Sequence, residues 1–150
     1  MQSFKWAFLV LTLFAFFLNS CKKNSGNKPA VTNSIQLKFN GTAYSTSTID
    51  ASYNNGALQM IGDFAGGGSI YLAVPGNVKA GSFDFAANTA SSVFRTGTST
   101  EFIGDSGTIT ITSFTNNTVA GTFSFHGTDY STNTSYTVTD GTFQTTYPTQ

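Results

Sequence analysis

Few side chains in this sequence are equipped for chemistry. A Ser or Cys nucleophile needs a base beside it, most often histidine. The 150-residue chain has one histidine, His126, which alternates with Thr122 and Ser124 on the polar side of a period-two run. No nucleophile motif surrounds it, so it reads as a solvated strand residue. One histidine and one cysteine, Cys21, also fall short of the four ligands of a structural zinc site. Carboxylates are more plentiful: Asp50, Asp63, Asp84, Glu101, Asp105, Asp129 and Asp140. Two of them flanking a glycosidic bond would do hydrolase chemistry, but no pair is marked. Asp63, Asp105 and Asp140 adjoin glycines, where Asp serves turns through local hydrogen bonds, and Asp84 and Glu101 stand alone. No catalytic residue is assigned. Asp63 and Asp105 each close an Ile-Gly-Asp tripeptide and are the candidate calcium ligands, since calcium takes oxygen ligands from loops; no D-x-D-x-D-G spacing accompanies them.

Sugar recognition is a further chemistry, because a tyrosine ring can stack on a sugar face. Tyr71 is the candidate ligand-binding residue: Ile70 and Leu72 read as inward, which turns Tyr71 out. The competing role for it is cross-strand packing, which commonly stabilises sheets. The glycines at 66–68 lack the Lys and the helix of a phosphate loop.

The elements that must position these residues read as strands. Only 9% of residues are charged, against roughly 25% in ordinary domains, and Thr, Ser, Asn and Gly fill the polar positions. Those residues favour strands and turns. Ile35, Leu37 and Phe39 alternate with polar neighbours, as do Ile109 and Ile111, and Phe123 and Phe125, while Ile70, Leu72 and Val74 alternate with Tyr71 and Ala73. Turn signals fall at Asn40-Gly41, Asn54-Asn55-Gly56, 66–68, Pro75-Gly76-Asn77, Asn116-Asn117 and Asp140-Gly141. The expectation is an all-β domain over residues 34–150, an antiparallel β-sandwich or open barrel of about eight to ten short strands. Its 117 residues suffice to bury roughly two-thirds of the unfolded surface. Residues 87–99 read as a Ser/Thr/Ala-rich loop with only a weak strand at Val93-Phe94, and the Thr-rich run 107–113 as a suitable sheet edge. With three basic residues against seven acids, a net charge of −4, the domain has no phosphate-tracking patch, and nucleic-acid binding is excluded.

Before this domain the sequence changes character. Residues 6–18, WAFLVLTLFAFFL, are apolar but for Thr12, within the ~7–15 residues of a signal-peptide core and too short for the ~30 Å of a bilayer. Leu18-Asn19-Ser20-Cys21 follows. It resembles the lipobox of bacterial lipoprotein signal peptides, in which Leu stands three residues before the cysteine. The resemblance implies cleavage between Ser20 and Cys21, diacylglycerol on the Cys21 thiol, and acylation (palmitate, for example) of the new amine. One acyl chain holds a protein to a membrane marginally and two or more hold it firmly. Residues 1–20 are thus the signal peptide and residues 21–33, polar with Lys22, Lys23 and Lys28, the lipidated cysteine and flexible linker. The implied location is the cell envelope, by lipid anchor at the outer membrane, with the periplasmic or surface face left open.

Two segments repeat an order of motifs: IGD, a Gly-containing turn, an alternating strand, an Asn-containing turn, then AG[ST]F[DS]F, once over 61–85 and again over 103–125. They read as two equivalent hairpins. GTITIT, VAGTFSF and YTVTDGTF resemble a family of small uncharacterised Bacteroidetes-type lipoproteins with a lipobox and a β domain, a resemblance that covers most of the mature chain and brings no function with it. The reading is an envelope lipoprotein with a non-enzymatic binding or structural β domain and no cofactor beyond the lipid. Its partners are the membrane and an envelope protein or glycan; the alternatives are a glycan-binding module or an accessory hydrolase.

Overall fold

The computed structural model describes residues 30–97, 100–129 and 131–148. The leader, Ser20, Cys21 and the linker up to residue 29 lie outside these. The chain divides into Met1–Ala30 and Val31–Gln150, and the following concerns the second unit. Its alternating runs form ten strands among the described residues: β1 (Ser34–Phe39), β2 (Thr42–Thr46), β3 (Ile49–Asn54), β4 (Ala57–Asp63), β5 (Ser69–Val74), β6 (Gly81–Asp84), β7 (Ser91–Thr96), β8 (Thr100–Phe114), β9 (Thr118–Asp129) and β10 (Thr134–Thr146). Pairing is antiparallel throughout, in one sheet ordered β2-β1-β10-β9-β8-β7-β5-β4-β3, with β6 paired to β8. The sheet curls into a nearly closed barrel, the second of the two architectures expected. Three strands are not short: β8, β9 and β10 run for 15, 12 and 13 residues.

Closure comes at the corner between β2 and β3, the two ends of the strand order. There the Thr48 amide donates to Thr46 Oγ1 at 2.9 Å, Thr46 Oγ1 donates to the Asp63 carbonyl at 2.6 Å, and the Asp63 amide donates to the Thr48 carbonyl at 3.1 Å. The corner therefore fastens onto the end of β4. At Asn40-Gly41 both turn residues have positive φ, 45° and 83°, the geometry that suits a tight hairpin between twisted strands.

Inward positions fill the barrel. Ile35, Leu58, Ile70, Leu72, Phe94 and Ile109 are fully buried, and aromatic rings pack among them: Phe39 stacks on Phe94 at 4.5 Å, and Phe102 meets Tyr136 edge-on at 4.6 Å. Such rings favour offset or edge contacts. Among the described residues the core draws on Ile35 to Tyr147, all within Val31–Gln150, so that unit carries a hydrophobic core of its own and has what it needs to fold by itself. With side chains in the middle, the outer face is the surface available for recognition.

Four sequence expectations need correction. The weak strand at Val93-Phe94 is a full one, β7, inserted between β5 and β8, and the stretch is not simply a loop; its inward residues are Ser92 and Phe94, and the polar Ser92 hides the alternation. Residues 107–113 are not an edge. They lie in β8, covered by β9 on one side and, over 108–111, by β6 on the other, because Ile109 and Ile111 are core residues that draw the strand into the middle of the sheet. Asp140-Gly141 does not form a turn: it sits at a bulge inside β10, Asp140 at φ 53° and ion-paired to Lys38 at 2.9 Å. The repeat is not two equivalent hairpins, since β5 pairs with β4 and β7 while β6 pairs with β8. The two AG[ST]F motifs nevertheless flank one strand in one register: Gly81 and Gly121 both face Ile111, and Phe83 and Phe123 both face Ile109.

Candidate binding face

Because side chains alternate across a strand, register decides which residues share the outer surface. Across β4, β5, β7 and β8 the pairs Ile61–Tyr71, Tyr71–Val93 and Val93–Ile103 fall in succession. They form one apolar row on the outside of the barrel. With strands ~4.8 Å apart, the row is about 14 Å long. Its ends are the two large hydrophobics that stay exposed among the described residues, Ile61 at 42% and Ile103 at 45%; Tyr71 and Val93 between them are half-buried.

Two residues along each strand, about 7 Å away at ~3.4 Å per residue, a polar row runs parallel to it: Asp63, Ser69, Arg95 and Glu101, paired in the same order. Arg95 and Glu101 sit opposite each other, and Arg95 Nε and Nη2 lie 2.9 and 2.5 Å from the same oxygen, Glu101 Oε1. The rows border two adjoining depressions. One, of about 280 Å³, is lined by Ile61, Ser69, Tyr71, Val93 and Arg95. The other, of about 400 Å³, is lined by Asp63, Ser69, Arg95, Glu101 and neighbouring glycines and threonine. Ser69 and Arg95 belong to both.

Tyr71 is thus on the outer face with Ile70 and Leu72 buried on either side of it. Asp63 stands in the polar row. Asp105 does not come to it: β5 and β7 intervene, and Asp105 lies four residues along β8 from Glu101, beside a bulge, with its carboxylate accepting from Ser106 Oγ at 3.0 Å and Thr128 Oγ1 at 3.4 Å. Among the described residues no three His, Cys, Asp or Glu side chains gather as metal ligands would. His126 is exposed on β9 between Ser106 and Thr137. Asp129 is engaged structurally. Hydrogen bonds from the Ser131 and Thr132 hydroxyls, both 2.6 Å, and from the Ser131 amide hold its carboxyl at about 2, well under the usual carboxylate range.

Of this row, only Tyr71 stands out in the sequence. Ile61 and Ile103 each stand two residues ahead of an aspartate in an IGD tripeptide, and that tripeptide drew attention to the acid instead. Their shared face needs the register of four strands, one of them only weakly marked in the sequence.

A family model described as a domain of unknown function (DUF6252) matches residues 31–146. No curated protein and no solved structure matches the chain.

Proposed function

The chain belongs to the DUF6252 family, and from that premise we propose that it is a lipid-anchored envelope protein whose β domain binds a partner through the row Ile61–Tyr71–Val93–Ile103, without catalysing a reaction. The observation that carries this reading is the row itself. A sheet whose outer face is otherwise rich in Thr, Ser and Asn places four apolar residues in one line across four strands. Scattered exposed hydrophobics are ordinary, whereas grouped ones rimmed by polar residues mark interaction sites. The hydrolase reading draws less support. Asp63 and Glu101 stand on strands three steps apart, a backbone spacing of about 14 Å, and Glu101 is already engaged by Arg95.

Anchoring rests on Leu18-Asn19-Ser20-Cys21 behind the apolar leader. Cys21→Ala is expected to abolish lipid labelling and release the protein from membranes; unchanged retention would refute the anchor. Binding is tested on residues 31–150 with envelope extract. A partner that binds only the folded state raises the melting temperature. The rise is expected for the unaltered domain and lost for Ile61→Thr/Ile103→Thr. An equal rise in both would move the binding elsewhere.

A further inference from the structure

Taking the outer row as a binding site, we infer that its ligand is an uncharged carbohydrate. The two rows supply the two halves of sugar recognition. A pyranose has an apolar face of C–H groups and an edge of hydroxyls. Tyr71, with Ile61 and Val93 directly opposite it on the neighbouring strands, offers an apolar floor with a ring at its centre. About 7 Å away along the strands, roughly one sugar ring across, Asp63, Ser69, Arg95 and Glu101 offer both donors and acceptors.

Charge selects among sugars. Arg95 is the cation of the polar row, and Glu101 already engages it at 2.9 and 2.5 Å. Asp63 adds a further negative charge, and the domain as a whole carries three basic residues against seven acids. That field repels uronic acids, sulfated glycans and phosphates, and it leaves hydroxyl-bearing neutral glycans unopposed. Size agrees. Of the adjoining depressions, the one of about 400 Å³ falls in the range of small-ligand sites and the one of about 280 Å³ lies just under it, while a stable protein interface takes roughly 800 Å² on each side, far more than a row of four residues. An extended peptide would gain nothing from the backbone here, because the site is a sheet face and strand addition needs an edge.

The test is affinity gel electrophoresis of residues 31–150 through neutral polysaccharides (β-glucan, mannan, galactan, xylan and starch), with an acidic pectin as the contrast. Retardation by at least one neutral polysaccharide and none by the pectin is expected. Tyr71→Ala should weaken it about tenfold, the loss of roughly one aromatic contact. Tyr71→Phe, which keeps the ring, should retain it, and Thr122→Ala, on β9 away from the rows, should leave it unchanged. No retardation by any neutral polysaccharide overturns the inference, as does retardation indifferent to Tyr71→Ala. If the polysaccharides are silent while envelope extract still gives a thermal shift that Ile61→Thr/Ile103→Thr removes, the face binds and its ligand is not sugar. If both are silent, the binding reading fails with it.

Discussion

If Ile61 and Ile103 are held on the surface for a partner, removing both should cost the fold little. Burying an isoleucine completely contributes ~1.5–3 kcal/mol. Ile61 and Ile103 are 42% and 45% exposed, so each has withdrawn a little over half of that surface, or ~0.8–1.7 kcal/mol. Threonine keeps the β-branch and one methyl, which preserves strand preference, and the loss falls to at most about 1 kcal/mol at each position. The two positions are three strands apart, about 14 Å, far enough for their effects to add. Ile61→Thr/Ile103→Thr should therefore cost under ~2 kcal/mol in all. The comparison is Ile109→Ala, which empties a fully buried position and should cost ~2–5 kcal/mol alone. Urea unfolding of residues 31–150 reads both, provided the slope against denaturant stays constant. A double variant as unstable as Ile109→Ala would make the two isoleucines structural, and the reasoning from exposure to partner would be refuted.

The barrel wall and its turns give further expectations. Gly121 lies in β9 where an added Cβ would press on the Thr110 carbonyl oxygen and the Phe143 ring; because a backbone oxygen cannot swing aside, Gly121→Ala should lose at least ~1–3 kcal/mol in the same urea assay, and an unchanged midpoint would show that the wall is looser than drawn. Asp129 is held at about 2 against an ordinary 3.8, so its contribution is present above the higher value and is lost as pH falls toward the lower one. Urea midpoints taken at neutral pH and near pH 3 should decline more steeply in the unaltered domain than in Asp129→Asn, and parallel declines would mean that the Ser131 and Thr132 hydrogen bonds do not favour the charged form.

Much of the fold was legible because period two is a local signal. Ile35, Leu37, Ile70, Leu72, Ile109, Ile111, Phe123 and Phe125 all read as inward from the sequence, and all are buried. The failures have a common physical source. Where the inward residue is small or polar, as Ser92 is, or where Gly121 gives its space to the Phe143 ring, alternation weakens even though the strand is present. Asp140-Gly141 carries turn chemistry, and a bulge uses the same positive φ as a turn. Local sequence does not separate the two. The outer apolar row was legible only at Tyr71. It combines β4, β5, β7 and β8, so it emerges from pairings over 10–22 positions along the chain, which no single window contains.

The central claim is that the outer face of β4, β5, β7 and β8 is covered by a partner in the envelope. Cys21 is the chain's single cysteine, so in the lipidated protein an introduced thiol has no rival for an alkylating reagent. Ile103→Cys and Thr122→Cys, one in the row and one on β9 outside it, would each be alkylated in intact envelopes and in the purified domain. Slower labelling of the first in envelopes, with the second labelled alike in both settings, is the expected result. Equal labelling of Ile103→Cys in envelopes and in isolation would contradict the claim.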